Sequence, residues 1–134
     1  MSPITSDEDR TYDFNNRAVA VGADGRLYVG GDAGVLSAVS PGGKILWRFD
    51  TGDEITASPS IGADGRIYIA SDSVYCVDPS GRQQWSFGNE EGEWFFPAPV
   101  PGPDGTIYIG NVDGFMHALS PDGELKWRVP VPDE

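Results

Sequence analysis

Cysteine is almost absent from this chain of 134 residues, and cationic residues are scarce. Cys76 is the only cysteine, so an intrachain disulfide and a cysteine-based metal cluster are both excluded. The sequence has 9 Lys and Arg against 21 Asp and Glu, which gives a formal charge of −12. A surface of this sign repels phosphate backbones and anionic lipid, so we expect neither nucleic acid nor a membrane as a partner.

Long hydrophobic runs are also missing. No segment approaches the roughly 18 consecutive apolar residues of a membrane-spanning helix. The start, MSPITSDEDR, lacks the charged and then apolar pattern of a signal peptide. We therefore expect a soluble protein, and its cellular compartment stays undetermined. The 18 Gly and 11 Pro stand at regular intervals between apolar runs, a pattern typical of a folded chain with many turns.

What the sequence does contain is one unit written three times. The copies begin with ADGRLYVGGD, ADGRIYIASD and PDGTIYIGNV, about 40 residues apart, and a second phrase that ends in tryptophan follows each copy. The repeated aspartates are Asp24, Asp64 and Asp104, and the repeated tryptophans are Trp47, Trp85 and Trp127. A unit repeated in phase indicates that one supersecondary structure is stacked three times.

Each unit contains four short runs suited to β-strands, separated by turn residues. In the first unit these runs cover residues 17–22, 26–31, 35–40 and 44–50. We expect an Asp-Gly pair, supplying residues with positive φ, to form the tight turn between the first two strands of each unit. These pairs are Asp24 and Gly25, Asp64 and Gly65, and Asp104 and Gly105.

Alternation within the second strand gives both faces of each sheet large side chains. Aliphatic residues alternate there with Tyr28, Tyr68 and Tyr108. A sheet that is apolar on both faces needs a neighbour on each side, as the blades of a β-propeller have. The predicted fold is all-β, with four-stranded antiparallel blades. The predicted parts are an N-terminal extension (1–16), blade 1 (17–50), blade 2 (51–88), blade 3 (89–129) and a C-terminal tail (130–134).

The repeats resemble the pyrroloquinoline-quinone-type β-propeller repeat, which occurs in quinoprotein dehydrogenases and in many non-enzymatic bacterial propellers. The resemblance spans about residues 17–129 and is carried by DGRLYVGGDAGVLSAVSPGGKILW, DGRIYIASDSVYCVDPSGRQQW and DGTIYIGNVDGFMHALSPDGELKW. It implies that the three tryptophans, with the repeated tyrosines, dock each blade on the next. Related propellers are often periplasmic or secreted. The turn before each tryptophan is compact, unlike the longer Thr-Gly turn of the dehydrogenases.

Acidic side chains are predicted to gather on one face of the ring, because the loops between blades emerge beside the loops joining second and third strands. Trp94 stands beside these acids as a candidate contact residue. This candidate binding face comprises Asp50, Asp53, Glu54, Glu90, Glu91, Glu93 and Trp94. His117 aligns with Ser37 and Tyr75, so we expect it to be exposed or at a blade edge.

Three blades are too few to surround an axis, since propellers typically close with about 4–8. We expect two chains to meet head to tail as a six-bladed homodimer, with a larger partner chain supplying the missing blades as the competing arrangement. The predicted function is a non-catalytic scaffold or binding module without a cofactor, whose acidic face is available to a cation or a basic protein. The alternatives are a fragment of a quinoprotein dehydrogenase that binds pyrroloquinoline quinone and Ca²⁺, and a glycan-binding propeller.

Overall fold

The computed structural model of the protein describes residues 18–31, 33–52, 54–55, 57–88, 97–110 and 114–132. The regular secondary structure in these ranges consists entirely of β-strands, which form three four-stranded antiparallel sheets. The predicted all-β class and the four-stranded blade are thereby confirmed. The predicted N-terminal extension lies outside the described residues.

Consecutive strands pair in chain order, so each blade is a meander. Blade 1 comprises β1 (Ala18–Val21), β2 (Leu27–Gly30), β3 (Val35–Val39) and β4 (Ile45–Asp50). Blade 2 comprises β5 (Ser60–Ile61), β6 (Ile67–Ala70), β7 (Val74–Val77) and β8 (Gln83–Phe87). Blade 3 comprises β9 (Val100–Pro101), β10 (Ile107–Gly110), β11 (Phe115–Leu119) and β12 (Leu125–Pro130).

A register shift interrupts the pairing of the last two strands at the same place in every blade. In blade 1, Ala38 pairs with Trp47 and Val39 pairs with Ile45, so Leu46 is left as an extra residue. The same shift leaves Gln84 extra in blade 2 and Lys126 extra in blade 3. A bulge of this kind bends the strand and redirects its side chains. The three extra residues differ in chemistry: one is apolar, one is a neutral amide and one is a cation.

The hydrophobic core lies between the blades. One cluster joins Leu36 of blade 1 to Ile67 and Ile69 of blade 2, and a second joins blade 2 to Ile107 and Ile109 of blade 3. All four residues of β6 are buried, because blade 2 has a neighbour on both sides. The burial pattern therefore follows from the two apolar faces that alternation gives each sheet.

The residues between blades 1 and 2 contribute to the same core. Ile55 is fully buried and packs against Gly30, where an added Cβ would lie 2.7 Å from the Cγ2 atom of Ile55. Only a residue without a side chain allows this approach. The connection therefore helps to fix the position of blade 2 relative to blade 1.

The turn prediction was wrong in one respect. Among the described residues, only glycines have positive φ, so Asp24, Asp64 and Asp104 do not adopt the left-handed conformation. The glycine that follows each aspartate does, with φ of 87° at Gly25. The Asp24 carboxylate instead accepts a hydrogen bond from the Arg26 N–H at 3.1 Å. The loop is thus a turn followed by one left-handed glycine, and the aspartate stabilises it through its side chain.

The expectation that His117 is exposed was also wrong. His117 is buried, and its ring lies edge-on to Phe87 with 6.0 Å between ring centroids. The residue at this position of each repeat faces the preceding blade, so it is buried where a preceding blade packs against it. Blade 2 covers His117, whereas Ser37 of blade 1 is only partly buried.

Candidate functional site: the faces that dock one blade on the next

Two faces of each blade are recognised by the residues that repeat on them. We call the face that packs on the following blade the front face, and the opposite one the back face. The front faces carry Tyr28 and Trp47, Tyr68 and Trp85, and Tyr108 and Trp127. The back faces of the two following blades carry Ile67 and Ile69, and Ile107 and Ile109.

The front face of blade 1 holds the turn between β7 and β8 of blade 2. The Trp47 indole N–H donates a hydrogen bond to the Pro79 carbonyl oxygen at 2.8 Å, and the Arg26 guanidinium donates to the same oxygen at 2.7 Å. The Asp24 carboxylate lies 3.4 Å from Arg26 Nε and orients it. A carbonyl oxygen has two lone pairs, so it accepts both donors, one of them charged. We call this arrangement the docking clamp.

The same docking clamp joins blade 2 to blade 3. Trp85 and Arg66 both donate to the Pro121 carbonyl oxygen, at 2.8 and 2.7 Å. Asp64 lies 3.4 Å from Arg66 Nε, as its counterpart does in blade 1. Two interfaces within one chain thus use identical chemistry. Sequence reasoning assigned the tryptophans to this position but missed the arginines, although both follow the repeated Asp-Gly pair.

The receiving turn must have glycine where the tryptophan ring lies. An added Cβ at Gly81 would be 2.8 Å from the Trp47 ring, and one at Gly123 would be 2.4 Å from the Trp85 ring. Both glycines also have positive φ, of 94° and 87°. The turn therefore depends on glycine twice, for its backbone conformation and for the space it leaves to the indole.

Each tryptophan also contacts the tyrosine of its own blade. The ring centroids of Tyr28 and Trp47 are 6.0 Å apart with 40° between the planes, and those of Tyr68 and Trp85 are 6.0 Å apart at 42°. Tyr108 and Trp127 show the same pair, at 6.1 Å and 44°. The orientation of the indole is therefore set within the blade and does not depend on a following blade.

The front face of blade 3 is open to solvent. Every residue of β12 is exposed, and Trp127 is 43% exposed. Within the described part of the chain, the Trp127 indole N–H donates to no acceptor. The apolar side chains exposed on and after this strand are Leu125, Trp127, Val129 and Val131.

The charged member of the docking clamp differs in blade 3. Thr106 occupies the position of Arg26 and Arg66, after the Asp-Gly pair. Thr106 is buried, and its hydroxyl oxygen accepts a hydrogen bond from the Lys126 ammonium at 2.9 Å. The cation on this face therefore comes from β12, at the bulge position next to Trp127.

The back face of blade 1 is exposed as well. Val19 and Val21 of β1 are 46% and 65% exposed. The turn between β3 and β4 has the same N–H to carbonyl hydrogen bond as the two receiving turns, from Gly43 to Ser40 at 2.9 Å. Gly43 has φ of 94°, and no described atom lies within 4 Å of a Cβ added there. This turn has the shape of a receiving turn, and no tryptophan of the described residues lies against it.

The described part of the candidate binding face contains two exposed carboxylates, Asp50 and Glu54. Asp50 accepts a hydrogen bond from the Gly52 N–H at 2.8 Å. The other members of the predicted face, Asp53, Glu90, Glu91, Glu93 and Trp94, lie outside the described residues. The predicted gathering of acids on one face therefore stays a prediction.

Cys76 and Tyr68 are buried in the core between blades 2 and 3. Burial raises the pKa of the Cys76 thiol to about 11 and that of the Tyr68 hydroxyl to about 12. Desolvation disfavours the thiolate and the phenolate, so both groups are neutral at physiological pH. A buried, neutral thiol is a poor nucleophile.

Two equivalent clefts open between neighbouring blades, beside the Asp-Gly hairpins. The first, of about 220 Å³, lies between blades 1 and 2, and the second, of about 210 Å³, lies between blades 2 and 3. Glycine, alanine and proline form most of the walls, with one tyrosine and one aspartate in each. These aspartates, Asp24 and Asp64, are paired with the arginines of the docking clamps. The two carboxylates that line these clefts are thus already held in structural ion pairs.

No group of three or more His, Cys, Asp or Glu in the described ranges is arranged to hold a metal ion. The same ranges contain no helix that is long and apolar enough to cross a membrane.

Solved structures with the same fold belong to proteins of different activities. BamB from Moraxella catarrhalis is 22% identical with a TM-score of 0.70, over 84% of this chain and 35% of that one. Selenomethionine-substituted virginiamycin B lyase from Staphylococcus aureus is 14% identical with a TM-score of 0.73, over 92% and 44%. Quinohemoprotein alcohol dehydrogenase ADHIIG from Pseudomonas putida HK5 is 19% identical with a TM-score of 0.71, over 89% and 22%. At these identities the likeness shows the fold alone.

The chain spans less than half the length of each of these proteins. Among curated proteins, none matches the sequence. A protein-family model described as outer membrane protein assembly factor BamB matches residues 7–73 and again residues 70–134. These matches, together with the three four-stranded blades, show that the chain belongs to the pyrroloquinoline-quinone-type propeller repeat family described as outer membrane protein assembly factor BamB.

Proposed function

We propose that this chain is a non-catalytic propeller module that closes into a six-bladed ring by pairing with a second copy of itself. The observation that carries the proposal is the match between the two open faces of the chain. The front face of blade 3 presents Trp127 in the orientation of the two docked tryptophans. The back face of blade 1 presents Gly43 in a turn of the same form.

Closure of this kind repeats a contact that the chain already makes twice. Two copies related by a twofold axis would each place blade 3 against blade 1 of the other, which buries both open faces and leaves none. Because Tyr108 orients Trp127 before docking, this side chain should lose little rotamer freedom on association. A ring of six blades also falls within the range in which propellers close.

The oligomeric state in solution tests this proposal. Native mass spectrometry of the intact chain at micromolar concentration is expected to give twice the 14.4 kDa chain mass. A stable monomer, or a trimer, contradicts the homodimer. A monomer that becomes a ring only with a longer propeller chain supports the competing arrangement, in which another chain supplies the missing blades.

The non-catalytic part of the proposal is supported by the chemistry of the residues present. The resemblance to quinoprotein dehydrogenases implies a pair of adjacent cysteines near the cofactor, whereas Cys76 is the only cysteine and is buried. Equilibrium dialysis with pyrroloquinoline quinone and Ca²⁺, followed by a dye-linked dehydrogenase assay, is the direct test. Retention of the quinone with alcohol-dependent reduction of the dye contradicts this proposal.

The partner proposed for the acidic loop face is a basic protein or a cation. The formal charge of −12 and the exposed carboxylates of Asp50 and Glu54 support it. The family's description as an assembly factor for outer membrane proteins also favours a protein partner. Attraction between exposed charges is screened over about 10 Å at 0.1 M salt, so binding should weaken as ionic strength rises. Titration with a basic protein at low and raised salt tests this, and absence of binding at low salt contradicts it.

A further inference from the structure

The two interfaces within the chain each use one arginine and one tryptophan on a single carbonyl oxygen. Arg26 and Trp47 share Pro79, at 2.7 and 2.8 Å. The second interface repeats these distances on Pro121. The guanidinium bond is charge-assisted and is the stronger of the two. A front face without the arginine therefore lacks the larger polar contribution to docking, unless another cation replaces it.

Blade 3 lacks the arginine and carries a lysine that the other two blades do not have. Thr106 takes the place of the arginine, while Lys126 takes the bulge position that Leu46 and Gln84 hold in the other blades. The two exchanges occur together and keep one cation on the front face of every blade. Thr106 is too short to reach a neighbouring blade, but its hydroxyl oxygen holds the Lys126 ammonium at 2.9 Å.

The contrast with blade 2 shows that this contact is specific to blade 3. The Gln84 side-chain amide donates to Asp78 and to the Arg82 carbonyl oxygen, both in its own receiving turn, at 3.2 and 3.3 Å. The Lys126 ammonium instead reaches the residue that replaces the arginine. An ammonium group has three N–H donors, and Thr106 takes one of them.

We propose that Lys126 and Trp127 form the docking clamp that closes the ring, by donating together to the Pro41 carbonyl oxygen of a second copy. Pro41 corresponds to Pro79 and Pro121, and in the described part of the chain no donor occupies its carbonyl oxygen. The indole of Trp127 then lies over Gly43, where the described chain leaves space. This inference rests on the proposed ring and identifies the side chain that makes the contact between chains differ from the contacts within a chain.

The use of lysine instead of arginine should determine how tightly the two copies bind and how readily they separate. The ammonium is a compact, strongly hydrated charge, whereas the guanidinium presents a planar array of donors. The contact between chains should therefore be weaker than the contact between blades of one chain. A ring built in this way opens at the two joints between copies before it opens within a copy.

The test exchanges the clamp of blade 3 for that of blade 2. Lys126→Gln copies Gln84 and removes the cation, and it should raise the dimer dissociation constant about tenfold or more. Adding Thr106→Arg to Lys126→Gln restores the arginine of blade 2 and should recover at least the wild-type affinity. Arg82→Gln, which removes an exposed cation of blade 2, is the control with the same change in charge and should leave the constant within about twofold. Sedimentation equilibrium measures all four proteins.

The outcomes separate this inference from the proposed ring. A wild-type protein that stays monomeric overturns the ring, and the inference falls with it. A wild-type dimer whose dissociation constant is unchanged by Lys126→Gln overturns the inference alone. If Thr106→Arg unfolds the protein, which circular dichroism detects, Lys126→Gln and Arg82→Gln still decide the question. The expected result is a loss for Lys126→Gln without a loss for Arg82→Gln.

Discussion

Blades 2 and 3 share a sequence pattern but differ in what covers them. In blade 2, β6 is buried throughout and Trp85 donates to the following blade. In blade 3, the corresponding strand β10 is only half buried, and Trp127 is 43% exposed, whereas Trp85 is partly buried. Yet Trp85 and Trp127 make nearly the same contact with their own tyrosines. The comparison shows that the Tyr–Trp geometry is set within each blade, whereas burial of the indole depends on the next blade, so the interface should add to stability as in other repeat proteins.

The largest predicted effect is the difference between Trp85→Ala and Trp127→Ala in the dilute protein. Trp85 is partly buried and packs against the core between blades 2 and 3, so its truncation should cost about 3 kcal/mol, the lower end of the range for buried tryptophans. Trp127 is 43% exposed and contacts no following blade within the described residues, so its removal should cost about 1 kcal/mol.

Urea unfolding of the two variants, at concentrations low enough to keep the chain monomeric, measures this difference. Equal losses would mean that the docked indole adds nothing to stability. At high concentration the proposed ring should make Trp127→Ala costly too, because the variant gains no stability from dimerisation. The melting temperature should therefore rise with protein concentration in the wild-type protein but not in Trp127→Ala.

The second prediction compares two glycines of the same backbone conformation. An alanine at Gly123 meets the Trp85 ring at 2.4 Å, whereas an alanine at Gly43 meets nothing within 4 Å. Both variants place an alanine in the left-handed conformation, which costs roughly 1–2 kcal/mol of stability. Overpacking adds a cost of about 1–3 kcal/mol only at Gly123.

We therefore expect Gly123→Ala to lose about 2 kcal/mol more than Gly43→Ala in thermal unfolding of the monomer. The comparison separates steric exclusion from backbone strain. Similar losses at the two sites would show that the Trp85 ring moves aside without cost. In the proposed ring, Gly43→Ala should in addition weaken dimerisation.

Much of the fold could be predicted from the sequence because the pattern is repeated. Three copies of one phrase fix the number of blades, and the predicted strands of blade 1 agree with the observed ones to within one residue at their ends. Repetition also led to the wrong prediction for His117, which is buried. The sequence comparison treats the aligned positions as if every copy had the same surroundings, whereas Tyr75 and His117 face a preceding blade and Ser37 faces none within the described residues.

The docking clamp was predicted only in part. The tryptophans are distinctive residues, so their repetition drew attention, whereas Arg26 and Arg66 resemble ordinary surface cations in a turn. Their role depends on a carbonyl oxygen 53 or 55 residues further along the chain, which a local pattern does not reveal. The signal available in the sequence was the change from arginine to Thr106 in the third copy. A polar position that differs in one repeat alone is a reason to expect that the blade has a different neighbour there.

The third prediction concerns alkaline pH and again contrasts blades 2 and 3. Cys76 in blade 2 corresponds to Ala118 in blade 3. Burial raises the pKa of the Cys76 thiol from 9.0 to about 11. A raised pKa means that the folded state holds the proton more tightly, so this stabilisation is complete below pH 9 and is lost as pH rises through 11.

Unfolding free energy measured between pH 8 and 11 should therefore fall by about 2 kcal/mol more in the wild-type protein than in Cys76→Ala. Alanine is tolerated at the corresponding positions of both other blades, which makes it the appropriate variant. Tyr68, whose pKa is raised to about 12, contributes in the same direction at higher pH in both proteins. Parallel pH profiles would contradict the buried, protonated thiol.

The smallest predicted effect concerns the receiving turns of blades 2 and 3. Asp78 opens the turn in blade 2 and accepts hydrogen bonds from the Ser80 N–H, the Ser80 hydroxyl and the Arg82 N–H, at 2.9, 2.7 and 3.0 Å. These bonds lower the pKa of the Asp78 carboxyl, the Arg82 N–H contributing most. In blade 3, Ser120 opens the corresponding turn and accepts from the Asp122 and Glu124 N–H groups at 3.2 Å.

Asp78→Ser should therefore convert the turn of blade 2 to that of blade 3 and lose about 0.5 kcal/mol at neutral pH, because serine keeps the backbone bonds and solvent screens the charge. A lowered pKa means that the folded state releases the proton more readily. The advantage of aspartate is then present at neutral pH and disappears as pH falls below 3.8, through the folded-state pKa. Urea unfolding at pH 7 and pH 3 measures both values. A loss that is the same at the two pH values would show that the hydrogen bonds of Asp78 owe nothing to its charge.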